Sequence, residues 1–338
     1  MRAAVVEALP ARDLVLRDVT ERDPGAGELL VEVEACGICG TDLHILAGES
    51  YRPELPFILG HEPVGRVTAA GEGVSSDWLG RRITMTLFTG CGSCALCLAG
   101  DERLCADLVA VHGVLSAWGA FAEETIVPVS LAVDVPDELT AVEAATLVDA
   151  GATAANASET VLDQGARSVV VLGGGPVGFL TVELLVRAGV RATVVEPLAS
   201  RRSALGALGH AVAAAVENVD GSFDAVVDCS GVASAVKPGL SLLGPKGVFV
   251  VVGYAVVPHL DLALVARREL QIRGIRSGSR GHLEAVLGAA ARGEISLPAV
   301  STWELDRIND ALASLRDGRV AGKAVITTTR AEERAWTS

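Results

Sequence analysis

One stretch of the 338-residue chain restricts its fold more than any other: residues 168–189, SVVVLGGGPVGFLTVELLVRAG. An apolar run, a glycine-rich turn and then apolar residues at helical spacing predict a strand feeding a helix, the unit from which parallel sheets are built. Gly173, Gly175 and Gly178 stand in G-x-G-x-x-G order, with Pro176 and Val177 inside the motif. Such a turn brings an anion up to backbone N–H groups at a helix N-terminus, so the segment implies a dinucleotide pyrophosphate site. The next apolar run, ATVVEP, ends in Glu196. A carboxylate there is placed to accept from the adenosine ribose hydroxyls and would repel a 2′-phosphate, which predicts NAD over NADP. Arg201 and Arg202, just beyond, pull the other way, since arginines there can hold a 2′-phosphate.

Further apolar runs follow at regular intervals, FDAVVDCSG, GVFVVVGY and ELQIRGI, each bounded by turn residues. They predict an α/β, doubly wound parallel sheet covered on both faces. Up to about Val135 the texture differs: short β-branched runs broken by Gly, Pro and acidic turns predict a strand-rich, barrel-like region. After the parallel runs come two helical segments and a last strand, KAVITTT. The order predicts a discontinuous first domain, residues 1–150 and 282–338, with a nucleotide-binding domain inserted at 151–281. The tail AEERAWTS reads as frayed, and GVFVVVGY as an edge strand able to pair across a two-fold axis.

A formal charge of −14, with 28 basic against 42 acidic residues and no basic stripe, argues against nucleic acid as a partner. No uncharged apolar run approaches the ~18 residues of a spanning helix, and MRAAVVEALP lacks the pattern of a signal peptide, so a cytoplasmic protein without a membrane partner is expected.

Four of the seven cysteines crowd into CGSCALCLAGDERLC: Cys91, Cys94, Cys97 and Cys105. Thiolates this close in sequence can enclose one ion tetrahedrally and leave it no open position, so the lobe at about residues 88–108 is expected to hold a structural zinc. Thiolates also bind iron–sulfur clusters, but the seven-residue last gap and the companion motifs favour zinc.

Those companions are Cys39 in GICGTDLH and His61 in GHEPVG. Together with the cysteine lobe and the glycine motif they closely resemble the zinc-containing alcohol dehydrogenase family of medium-chain dehydrogenases, and the resemblance runs over essentially the whole chain. It implies a GroES-like β-barrel catalytic domain with an inserted Rossmann domain. It also implies two zinc ions per subunit, NAD as cofactor, a small-molecule alcohol as substrate, and a homo-oligomer, a tetramer or else a dimer. By the resemblance Cys39 and His61 bind a catalytic zinc, with Cys39 preferred over the nearby Cys36. Glu62 is a neighbouring or alternating carboxylate, and Asp42 orients the His61 ring. Where relatives carry Cys or Glu as third ligand, this chain has Asp149 in LVDAGATAANA, a departure that keeps metal binding intact.

The implied chemistry is hydride transfer from an alcohol, polyol or sugar-like substrate to NAD, with a zinc-bound alkoxide and a proton relay through Thr41 to His44. Thr153 and Val177 resemble positions that back the nicotinamide, and Lys323 in AGKAVI resembles a late contact to the pyrophosphate, with a surface lysine as the alternative. The substrate pocket is expected around Ile45 to Phe57, Phe88 and Trp118. Two other readings stay open: a reductase of a conjugated C=C or iminium bond using NAD(P)H, and a zinc- and nucleotide-binding protein without catalysis. His112, His210, His259 and His282 carry no ligand-like spacing.

Overall fold

The computed structural model describes residues 1–254, 256–257 and 260–328; the tail AEERAWTS and His259 lie outside the described residues. The chain divides into two compact units. The first comprises Met1–Asp149, Ser279–Arg292 and the chain from Ala299 onward; the second comprises Ala150–Gly278 and Gly293–Pro298. The short return at 293–298 is a feature that the sequence reading places in the first unit.

In the first unit the long strand Glu28–Ile38 is the hub of a seven-stranded sheet. It pairs antiparallel with Glu62–Ala70, Glu124–Pro128 and Lys323–Thr327. Alternation along ELLVEVEAC sends Leu29, Val31 and Val33 into the interior, where Val67, Ile83, Met85 and Val127 close a core with Leu29 and Val31. The register sets Gly37 opposite both Glu62 and Val325. A Cβ at Gly37 would fall 2.2 Å from Glu62 Oε2, so only glycine lets these strands meet.

The second unit is a six-stranded, all-parallel sheet among the described residues, 3-2-1-4-5-6 when its strands are counted along the chain. This is the doubly wound order with a crevice where the winding reverses. Strand Ser168–Leu172, at the reversal, is buried throughout, which explains its unbroken apolar run. One expectation is corrected: GVFVVVGY belongs to strand Leu243–Val251, which is internal, and the exposed strand Gln271–Gly274 forms that edge. The apolar density that suggested an edge partner reflects two covered faces.

His112 sits in the first unit, 5% exposed, with Nε2 2.9 Å from Thr89 Oγ1. Burial lowers its pKa from 6.5 to about 4. The unfolded chain therefore takes up a proton below 6.5 that the folded one refuses, so this residue's contribution is complete above that pH and is lost as pH falls toward 4. Between pH 7 and pH 5 the wild type should lose about 2 kcal/mol more unfolding free energy than His112→Gln, measured by denaturant titration at matched metal content.

Candidate metal and nucleotide sites

The cysteine lobe folds around short turns. Gly92 and Gly100 adopt φ of +73° and +79°, and Cys94 caps the four-residue helix Ala95–Leu98. The thiol sulfurs converge, with separations of 3.5 Å for Cys94–Cys97, 3.8 Å for Cys94–Cys105 and 4.0 Å for Cys91–Cys97. Four sulfurs at ~2.3 Å from one tetrahedral ion stand roughly 3.8 Å apart, so the cage fits zinc. Backbone and side-chain donors from Ser93, with the Cys94 N–H, lower the Cys91 pKa to about 6, favouring the thiolate that a metal requires. Gly90 is required here, because its Cβ would lie 2.5 Å from Cys97 Sγ.

A second donor set assembles from three distant segments. Cys39 ends the hub strand's exit and caps helix Gly40–Leu46, its sulfur accepting from the Thr41 N–H at 3.2 Å while Asp42 Oδ2 accepts from the Cys39 N–H at 2.9 Å. His61 directly precedes strand Glu62–Ala70, and Asp149 opens helix Asp149–Leu162. Cys39 Sγ is 3.2 Å from His61 Nε2, that nitrogen is 3.9 Å from Asp149 Oδ2, and the three donor atoms lie within 4.8 Å of one another. Zinc bonds of ~2.0–2.3 Å imply edges of roughly 3.4–3.8 Å, so a thiolate, an imidazole and a carboxylate stand at three corners with the fourth open. Cys36 is not in the group; it is buried with its thiol toward Gly37 O at 3.6 Å, and burial pushes its pKa well up.

The His61 ring is held from behind. Asp42 Oδ1 lies 3.5 Å from His61 Nδ1, in charge contact but short of a formed hydrogen bond. Burial disfavours charge on the imidazole, yet the Cys39 sulfur and Asp42 outweigh it and raise the His61 pKa well above its ordinary value. The backbone is clamped too. Gly60 has φ +101°, and Cβ atoms on Gly113 and Gly119 would lie 2.3 and 2.4 Å from Gly60 O. Nothing in the sequence reading marked these two glycines; their spacing in HGVLSAWG was the available signal. Gly113→Ala should shift His61 and lower kcat about a hundredfold, checked by steady-state kinetics with zinc content assayed on the same sample.

One neighbouring charge departs from expectation. Lys323 is 1% exposed and donates to Glu62 Oε1 at 2.7 Å, deep inside the first unit. It is not a surface lysine, because strand pairing brings the late strand Lys323–Thr327 against the hub beside Glu62. Burial works against its charge, but Glu62 outweighs burial and raises the Lys323 pKa. Trp118 lines a cleft with Arg22 and His112. Thr41 is half-buried on the first turn after Cys39. His44, 64% exposed, has Nδ1 2.9 Å from Glu49 Oε2.

In the second unit Gly173 takes φ +94°, Pro176 begins helix Pro176–Arg187, and a Cβ at Gly178 would fall 1.9 Å from Gly173 O. Gly173 and Gly178 thus permit tight backbone turns and contacts, and Gly175 caps the helix. Val177 lies on that helix's first turn, and Thr153 is buried in helix Asp149–Leu162. Glu196 ends its strand against the glycine turn. It is 3% exposed, and its oxygens accept from the N–H groups of Gly174 and Leu198, both at 2.8 Å. Arg201 Nη1 is 3.7 Å from Glu196 Oε2, and Arg202 donates to the carbonyls of Glu196 and Pro197.

Residues 25–137 match the alcohol dehydrogenase GroES-like domain and residues 176–292 the zinc-binding dehydrogenase domain. An alcohol dehydrogenase of Geobacillus stearothermophilus is 30% identical, with 96% of this chain and 98% of the relative covered. The chain belongs to the zinc-containing alcohol dehydrogenase family. As a member of this medium-chain family it is an oxidoreductase. Among solved structures it is similar to a cobalt- and zinc-bound alcohol dehydrogenase of Pyrobaculum aerophilum, with TM-score 0.88, 28% identity and coverage of 97% and 99%. An acetophenone reductase of Geotrichum candidum in complex with NAD gives TM-score 0.87 at 26% identity, covering 96% of each chain. Among the described residues no helix is long and apolar enough to cross a membrane.

Proposed function

We propose that this dehydrogenase oxidises a small alcohol, polyol or sugar-like CH–OH group with NAD, binding two zinc ions per subunit. The observation that carries the reading is the convergence of Cys39, His61 and Asp149, three donors for an ion that takes four. Zinc held there supplies a Lewis acid that lowers the pKa of a coordinated hydroxyl. The chain's own residues do the rest. Asp42 and the glycine clamp fix the imidazole of His61, and the caged cysteines Cys91, Cys94, Cys97 and Cys105 hold their lobe together. Thr41, next to Cys39 and half-buried, takes the alcohol proton, and His44, three residues on and exposed, passes it to water. Gly173, Gly175, Pro176 and Gly178 receive the pyrophosphate, and Thr153 and Val177 back the nicotinamide. Glu62 stays paired with Lys323 as a carboxylate beside the ligands. Arg201 rests on the adenosine end.

The half-exposed thiolate ligands suit a reducing, cytoplasmic setting. The exposed edge Gln271–Gly274 suits pairing between copies, a tetramer or else a dimer.

The reading is tested by following reduced nicotinamide formation over a panel of alcohols and sugar alcohols, with NAD and NADP, before and after chelation. Turnover with NAD that chelation abolishes and zinc restores is expected. Turnover only with conjugated enones, unaffected by chelation, would overturn it in favour of the reductase.

A further inference from the structure

Helix Gly40–Leu46 carries Thr41 and His44 at the i, i+3 spacing that puts two side chains on one face. The turn that ends this helix reaches back to it. Ala47 is the C-cap, Gly48 turns left-handed at φ +74°, the Gly48 N–H donates to Ile45 O and the Glu49 N–H donates to His44 O, both at 2.9 Å. Together these bonds make a glycine-terminated helix end, which sets the residue after the glycine against the last turn. The side-chain contact at such an end is frequently apolar. Here it joins an imidazole to a carboxylate, with His44 Nδ1 2.9 Å from Glu49 Oε2.

The chemistry of the two partners fixes where the ring carries its proton. An ionised carboxylate can only accept, so Nδ1 must donate, and a neutral imidazole protonated at Nδ1 has its free lone pair on Nε2. Without a carboxylate at Nδ1 the ring can carry its proton on either nitrogen, and an Nε2–H ring offers no lone pair there. Both side chains are largely exposed, at 64% and 65%, and exposed pairs are weak when each partner must be held in place by the contact itself. The turn offsets this weakness, because the Glu49 N–H and His44 O fix both backbones before the side chains meet.

We propose that Glu49 is a positioning residue for the proton relay: its carboxylate holds His44 in the tautomer whose Nε2 is free to accept the proton that leaves by way of Thr41. On acceptance an Nε2–H bond forms and the ring carries N–H at both nitrogens; the Nε2 proton then passes to water. Glu49 accepts from Nδ1 throughout and takes no proton. The catalytic consequence rests on the dehydrogenase reading; the tautomer does not.

Imidazole nitrogen resonances decide the tautomer, recorded on the zinc-loaded full chain with His44 neutral and assigned by their loss in His44→Gln. The wild type should be protonated at Nδ1, and Glu49→Ala should move the population toward Nε2–H. Glu49→Lys, whose ammonium can only donate to Nδ1, should move it further. In alcohol oxidation Glu49→Ala should lower kcat about threefold, the size expected of an exposed pair, with KM for the alcohol changed by less than about twofold. In a His44→Gln background the same Glu49→Ala change should have no further effect. An equal loss in both backgrounds would make Glu49 a structural residue of the turn and overturn the proposal, as would a wild-type ring protonated at Nε2. A shifted tautomer at unchanged kcat would overturn the role in the relay. Absence of any alcohol oxidation would refute the dehydrogenase reading while the resonances still decide the tautomer.

Discussion

Replacing Asp149 with alanine is expected to halve the zinc content, from two ions per subunit to one, and to lower kcat/KM by at least about a thousandfold. The carboxylate supplies one of three protein donors, and Cys39 and His61 alone leave two corners to solvent. Losing a Lewis acid worth several kcal/mol in the transition state corresponds to that rate factor. Elemental analysis and kinetics on the same preparation check it. The remaining ion should stay with the four cysteines, so the thermal transition of the lobe should not move. Asp149→Cys restores a donor of equal charge and should recover zinc. If Asp149→Ala keeps both ions and near-wild-type turnover, the proposed ligand set is wrong.

The second large effect is on stability. Lys323→Met leaves the carboxylate of Glu62, 0% exposed, without its cation inside the first unit, and should destabilise the fold by about 3–5 kcal/mol in denaturant titration. Replacing both members, Lys323→Met with Glu62→Gln, removes the stranded charge and should recover most of that loss. If the single variant unfolds at the wild-type midpoint, the buried pair described here does not form in solution.

How much of this could be read from the chain depends on the distance over which each feature is encoded. The cysteine cage and the glycine turn are local: their spacing dictates their geometry, so Cys91 to Cys105 and Gly173 to Gly178 were legible as units. That the second unit's strands form a parallel sheet followed from apolar runs that only a doubly covered sheet explains. Cys39, His61 and Asp149 are far apart in sequence, and their grouping came from resemblance, since spacing alone cannot bring three segments together.

What stayed hidden is a matter of partners. Lys323 looked like a surface or cofactor-facing cation because nothing around AGKAVI reveals that its strand lies against the hub beside Glu62. Glu196 was read from its place at a strand end, which does not reveal the two backbone N–H groups that its carboxylate accepts from.

The sheet that delivers Cys39 is completed by Lys323–Thr327, from the far end of the polypeptide. During synthesis the early strands emerge long before this last one, so Glu62 waits without its counter-ion while the entire nucleotide-binding unit is made. Completion of the zinc-binding pocket thereby waits on this late strand, and a product terminated before it is left with an unneutralised acid at its heart.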